Sequence, residues 1–224
     1  MIDTLLSSPF LGLTLSAAAW CAGCQLQKKF RLLPPLLTAA ALIIAVLAAF
    51  GIPYSAYAAG GDFIKLMLGP VTAVLALNIY NQRTVLKEHF LPVLAGCLAG
   101  SLTSMGSVLL LCRVFQVEQA LAASLLPKSV TTAIAIGIAE SRGGVGGIAA
   151  AAVMVAGLTG AALAPLFARL FRVTDPVAEG LAIGACSHAL GTTRAMEIGH
   201  VQGAMSSIAI CVCGIMTSVL ALFL

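Results

Sequence analysis

Residues Leu125 to Gly147 read LLPKSVTTAIAIGIAESRGGVGG, and the one charge near the start of that stretch decides how the rest is read. Lys128 is the only charged residue between Glu118 and Glu140, a span long enough to reach deep into a bilayer. A charge at such depth costs about 2.5 to 3.5 kcal/mol on insertion scales. A chain that keeps one gives it a partner, a water-filled cavity or a ligand. Pro127 removes a backbone donor just before it, which predicts a broken or kinked helix. Ser129, Thr131 and Thr132 bring hydroxyls that serve freed backbone groups or a solute. The pairs Gly143-Gly144 and Gly146-Gly147 are expected to end the segment flexibly. A broken helix, a buried cation and three hydroxyls describe a site for a small anion.

The surrounding composition supplies the membrane. The chain has 224 residues, 60% hydrophobic and 9% charged, with a mean hydropathy of +1.07. Soluble domains carry about 25% charged residues, so this chain has no charged surface to present to water. A spanning helix needs about 20 apolar residues, and the length allows roughly seven or eight membrane segments. Long unbroken apolar runs, such as Leu36–Gly51 and Ile148–Leu166, exclude the alternation of a β-barrel. The expected fold is all-α and polytopic, one membrane domain over residues 1–224, with discontinuous or re-entrant helices. The net charge of +4 reads as topology and not as nucleic-acid binding. Seven cysteines, Cys21-x-x-Cys24 among them, sit in apolar helices, and no His/Cys spacing resembles a zinc site. No metal and no cofactor are expected. Asp3 and the lack of a basic n-region make the first apolar run a retained helix.

In chain order, Leu5 to Cys24 is the first segment, and Lys28, Lys29 and Arg31 place its end in the cytoplasm. Pro34-Pro35 open the second, which runs to Gly51. Ile52 to Asp62 reads as an interfacial loop with two tyrosines. Phe63 to Tyr80 is interrupted by Gly69-Pro70, with Thr72 and Asn78 as polar groups that line a cavity or join helices. Arg83, Lys87, Glu88 and His89 mark a cytoplasmic loop before the span Phe90 to Leu111, whose Gly96, Gly100, Ser101, Ser104 and Gly106 suit close helix packing. After the Lys128 segment come a plain span, Ile148 to Phe167, and a charged linker holding Arg169, Arg172, Asp175 and Glu179. Leu181 to Gly199 is too polar at its centre for a lipid-facing helix, with Ser187, His188, Thr192, Thr193 and Arg194 there. Gly203 to Leu224 is the last span.

Charge placement conflicts with simple crossing. If every apolar run crosses, Arg142 is cytoplasmic and Arg169 and Arg172 are outside. If the Lys128 segment dips in and returns, Arg169 and Arg172 become cytoplasmic and Arg142 does not. Re-entry is tolerated only where protein or water surrounds the backbone. A weak internal repeat points the same way. Pro70 and Pro127 each follow Leu-rich sequence and precede hydroxyls, a charged turn and a Gly/Ala-rich span, which sets halves of about 34–115 and 118–224. Paired interrupted segments mark a transporter site at a repeat interface.

Three polar elements are therefore expected to converge on a substrate site. They offer Thr72 and Asn78; Lys128, Ser129, Thr131 and Thr132; and His188, Thr192, Thr193 and Arg194. Helix ends at breaks attract carboxylates. Snorkelling of Lys128 to an interface, a membrane-edge role for Arg194 and plain packing for His188 remain alternatives. Enzyme motifs such as GxSxG, HExxH and phosphate loops are absent, so no catalytic residue and no enzyme activity are expected.

The stretches LPKSVTTAIAIGIAESRGG (Leu126 to Gly144), GACSHALGTTRAMEIG (Gly184 to Gly199) and GAMSSIAICVCGIMTS (Gly203 to Ser218) make the chain similar to the LrgB/CidB family. That family includes bacterial YohK-type proteins and the C-terminal half of the plant plastidial glycolate/glycerate translocator. The resemblance covers almost the whole chain. Family members usually carry Pro after the paired threonines, where Ala133 stands here. The resemblance implies a multi-pass protein of the bacterial inner membrane working with a small LrgA/CidA-like partner. It implies holin- or antiholin-like control of murein hydrolase export and lysis, and, through the plant relative, carboxylate transport. The expected function is transport of a small monocarboxylate such as glycolate, glycerate, lactate or pyruvate, with the lysis regulator as the alternative and a structural subunit as a third. A homodimer with apolar contacts is expected.

Overall fold

A computed structural model of the protein describes residues 8, 10–30, 35–67, 69–70, 73–74, 77, 80 and 83–224. They are helical, with no strand among them. The chain divides into two compact units, residues 1–70 and 71–224.

The first unit holds α1 (Phe10–Lys29), α2 (Pro35–Phe50) and α3 (Tyr54–Leu66). The loop expected over Ile52–Asp62 is instead helical from Tyr54. Its glycines serve packing: a Cβ on Gly12 of α1 would collide with Tyr57 O and lie 2.9 Å from Gly60 Cα, so the two helices cross where both lack side chains. Ser16 and Tyr57 close the same crossing with a 2.9 Å hydroxyl hydrogen bond. Gly69 and Pro70 are helical, but the residues around them, and with them the expected site residues Thr72 and Asn78, lie outside the described residues.

The second unit includes a short helix, α4 (Arg83–Glu88), and is built on three long apolar helices: α5 (Phe90–Val114), α8 (Gly146–Leu170) and α10 (His200–Ala221). At 1.5 Å per residue each exceeds the roughly 30 Å hydrocarbon core of a bilayer. Helices α5 and α10 lie side by side in the same direction. Val93 and Cys97 pack with Met205 and Ala209, and Met105 packs with Ala221 a few turns on. The Cys213 thiol donates to Cys97 O at 3.8 Å along that seam. Helix α8 runs the opposite way, from the C-terminal end of α5 and α10 toward their N-terminal end.

Between the long helices lie two hairpins. The first is α6 (Gln119–Leu125), a turn through Pro127, and α7 (Thr132–Ser141). The break expected at Pro127 is therefore present, and Thr131 is the N-cap residue of the restarted helix. The chain enters beside the C-terminal end of α5 and returns there. Ser124, at the end of α6, accepts a 2.7 Å hydrogen bond from Val145 N beyond α7. Along α10, Ile134 lies over Gly214 and Ile138 packs with Ala221, and Arg142 donates to Ala221 O at 2.5 Å. Both ends of the Lys128 segment therefore lie at the same end of the long helices. The double glycines after it are ordered parts of the connection. Gly143 adopts φ +76, and Gly143 N and Gly144 N bond to Glu140 O and Ala139 O at 3.2 and 2.8 Å, closing α7 in a Schellman motif. Gly146 and Gly147 already belong to α8.

The second hairpin is α9 (Pro176–Ile198), folded back on itself at His188, where φ is +40 and ψ −138. Its first arm runs parallel to α10: Cβ atoms on Gly180 and Gly184 would strike Gln202 O and Ser206 O in turn. Its second arm runs antiparallel: Thr192 meets Ser206 and Met196 meets Gly203. Both arms thus start and finish at the N-terminal end of α10, with Glu179 of the first turn accepting a 3.1 Å hydrogen bond from Gln202. Asp175 caps the entry by accepting from Val177 N and Ala178 N.

Candidate functional site

The two hairpins enter from opposite ends of the bundle, and their tips approach each other against α8. The first tip carries Lys128 because Pro127 ends α6 and leaves residues 126–131 in turns. Its Nζ donates to Ser129 Oγ at 3.1 Å and to Ser104 Oγ at 3.3 Å. Ser104 donates to Ser129 at 2.8 Å, which ties the tip to the middle of α5. An ammonium has three donors, so one proton is left for a ligand or water, and no carboxylate among the described residues pairs with this cation. Thr131 Oγ1, three residues on, is buried with no hydrogen-bond partner among the described residues.

The second tip carries Cys186, Ser187 and His188. Ser187 is 1% and His188 4% exposed. The ring of His188 donates from Nε2 to Val153 O at 2.7 Å, which fixes the tautomer, since a carbonyl only accepts. Helix α8 gives way to this tip with glycines. A Cβ at Gly157 would sit 2.5 Å from the His188 ring, and one at Gly160 would overlap Ser187 Oγ. Val153 also packs with Val130 of the first tip, so a single turn of α8 touches both hairpins.

An open cleft of about 690 Å³ runs along α8, and Lys128 and Cys186 face into it from the two tips. Its other walls, among them Ala152, Val155, Ala156 and Leu163, are apolar, with Thr159 the remaining polar side chain. A lone half-buried cation in an apolar groove attracts an anion that also carries a small apolar body. The space that Lys128 faces is an open groove with mostly apolar walls.

The other expected residues part ways. Ser129 binds Lys128, and Thr132 is exposed at the start of α7. Thr192 is buried and spends its hydroxyl on His188 O and Ser206 Oγ, at 3.0 and 2.7 Å, which holds the second arm to the tip and to α10. Thr193 is exposed and bonds back to Ala189 O. Arg194 lies at the mouth of the second hairpin, ion-paired with Glu197 at 2.5 Å, in a separate cleft of about 660 Å³ shared with Arg169, Arg172 and Glu179. Ser104 and Cys186 are the tip contacts that sequence reading did not assign to a site. Ser104 carried a signal, a hydroxyl among small residues near mid-span, but it read as packing.

These motifs and this architecture meet a known group. The LrgB-like family model matches residues 16–224. The chain belongs to the LrgB-like family. The antiholin-like protein LrgB of Bacillus subtilis is 39% identical over 213 residues, covering 94% of this chain and 92% of that protein. An antiholin-like LrgB of Bacillus mycoides is 36% identical over 215 residues, 95% and 94% of the two chains. YxaC of Bacillus subtilis, an uncharacterised protein, is 39% identical over 206 residues, 91% and 90%. No solved structure matches the chain. Both hairpins fall inside the matched region: two of the three LrgB-like stretches, Leu126 to Gly144 and Gly184 to Gly199, form their tips and arms, and the third, Gly203 to Ser218, lies in α10.

Proposed function

We propose that this LrgB-like protein is an antiholin-like membrane regulator that restrains murein hydrolase export and lysis. What carries this reading is its near full-length similarity to proteins named antiholin-like LrgB. It would act in the bacterial inner membrane beside a small LrgA/CidA-like partner, as a dimer with apolar contacts and without a catalytic step. The chain then has seven or eight membrane segments, the two hairpins included. Five basic residues gather at the N-terminal end of α5 and the mouth of the second hairpin, Arg83, Lys87, Arg169, Arg172 and Arg194, against Arg113 and Arg142 at the other end. The positive-inside rule puts the crowded end in the cytoplasm, so the second hairpin enters from inside and the first from outside. Deleting the gene should raise murein hydrolase activity and detergent-induced autolysis, and restoring it should reverse both. Unchanged autolysis would sink this reading.

A second reading rests on a separate observation, the unpaired ammonium of Lys128 in the cleft between the hairpin tips. It supports a carrier of small monocarboxylates of the glycolate, glycerate, lactate or pyruvate type, whose carboxylate meets Lys128 and whose short carbon chain meets the apolar walls. Lysis control is then the cell-level result of solute movement. Uptake of labelled glycolate and pyruvate into proteoliposomes, with wild-type protein and Lys128→Ala, tests it. Equal uptake by the variant would remove Lys128 from the site.

A further inference from the structure

The two hairpins belong to two copies of one structural unit. Helices α5 and α8 are both 25 residues long, and both their starts (90 and 146) and their ends (114 and 170) lie 56 positions apart. Both end in the same Schellman closure. Val117 N bonds to Cys112 O at 2.8 Å and Val173 N to Ala168 O at 2.9 Å, with Gln116 at φ +51 and Arg172 at φ +52. The residues recur at the same offset, Arg113 with Arg169, Phe115 with Phe171 and Val117 with Val173. So do the two hairpin exits, Gly143 and Gly199. Because α8 runs against α5, the copies are inverted. This frame differs from the Pro70–Pro127 pairing that the sequence suggested. It places the tips at equivalent positions, Val130 with Cys186, Thr131 with Ser187 and Thr132 with His188.

Equivalent tip positions do not share an environment. Cys186 is exposed to the cleft, whereas its counterpart Val130 is 2% exposed. His188 and Ser187 are buried, whereas Thr132 is exposed and Thr131 only half-buried. A fixed two-fold arrangement would give each pair the same surroundings. Two copies of one fold held in different states give this alternation.

We propose that the two hairpins exchange these states, so that the Lys128 site opens in turn to the two faces of the membrane and the protein works as a reciprocating carrier and not as a pore. This rests on the carrier reading of the Lys128 cleft. The test uses full-length protein in oriented vesicles, with the other cysteines replaced, carrying either native Cys186 alone or Val130→Cys alone. A charged, impermeant methanethiosulfonate is added to one face or the other. The expected result is labelling of Cys186 from one face and of Val130→Cys from the opposite face, with added pyruvate shifting the two rates in opposite directions. The pair Thr131→Cys and Ser187→Cys gives the same reading if Val130→Cys does not fold. Labelling of both members of a pair from the same face, or of neither first-tip cysteine from any face, overturns the proposal. Pyruvate or glycolate flux without reciprocal labelling refutes the exchange and leaves the carrier reading. Reciprocal labelling without flux or protection refutes the choice of carboxylate and leaves the exchange.

Discussion

His188 offers a substitution whose sign reports the backbone. At φ +40 and ψ −138 its conformation is one that L side chains rarely adopt, and it sits inside what would otherwise be one 23-residue helix. Such strain at a non-glycine residue costs about 1–3 kcal/mol. His188→Ala and His188→Gly both delete the ring and its 2.7 Å hydrogen bond to Val153 O. That shared loss falls at the low end of about 1–3 kcal/mol, because the carbonyl keeps its bond within α8 and is not orphaned. The two variants differ only by a Cβ. Glycine releases the strain and gives back about 0.5–1 kcal/mol in backbone freedom, so His188→Gly should be more stable than His188→Ala by about 1 kcal/mol. Ala189→Gly, one residue on and exposed in the second arm, should show the ordinary order and cost about 1 kcal/mol. Unfolding titrations in mixed detergent micelles, followed by circular dichroism, measure all three. If His188→Ala equalled or exceeded His188→Gly, the helix would be continuous and the second hairpin would not exist.

Other substitutions probe the tip, the seams and the closures. Lys128→Ala should fold and insert but lose carboxylate uptake, and Lys128→Arg should recover only part of it, since a planar fork does not replace a compact ammonium held by two serines; wild-type uptake by Lys128→Ala would contradict this. Gly184→Ala should destabilise by about 1–3 kcal/mol despite its better helix propensity, because the new methyl meets the rigid backbone of Ser206 and lies 2.8 Å from Ala209 Cβ; a stabilised variant in the same titration would show that the first arm does not rest on α10. Gln116→Gly and Arg172→Gly should each stabilise by about 0.5–1 kcal/mol, since both residues close a helix at positive φ, and a loss of stability in either would contradict those closures.

Much of this was legible in the sequence, for physical reasons that differ by element. Composition gave an all-helical membrane protein, and Pro127 beside a lone lysine gave the first break, because both a missing donor and an unpaired charge are costly in hydrocarbon. The second break was only half legible. The polar centre around Ser187 and His188 marked shelter, but nothing in the side-chain pattern distinguishes a helix that crosses from one that folds back on itself. Arg194 was assigned to the site on the same logic. The return arm begins after His188, so six residues of helix carry Arg194 about 9 Å back toward the mouth. The stretch Ile52–Asp62 reads as an interfacial loop with two tyrosines, and it is helical from Tyr54. The role of Gly60 as a crossing point depends on Gly12, nearly fifty residues away, and such a contact leaves no local signal.

The meeting of the two tips requires hairpins that enter from opposite faces, and single cysteines at their four ends test that directly. Gln119→Cys and Ser141→Cys stand at the two ends of the first hairpin, Thr174→Cys and His200→Cys beside those of the second, and all four positions are exposed. With an impermeant maleimide added to oriented vesicles, Gln119→Cys and Ser141→Cys should label from the outer face, and Thr174→Cys and His200→Cys from the cytoplasmic face. If Gln119→Cys and Ser141→Cys labelled from opposite faces, the Lys128 segment would cross the membrane, and the meeting of the two tips would have to be abandoned.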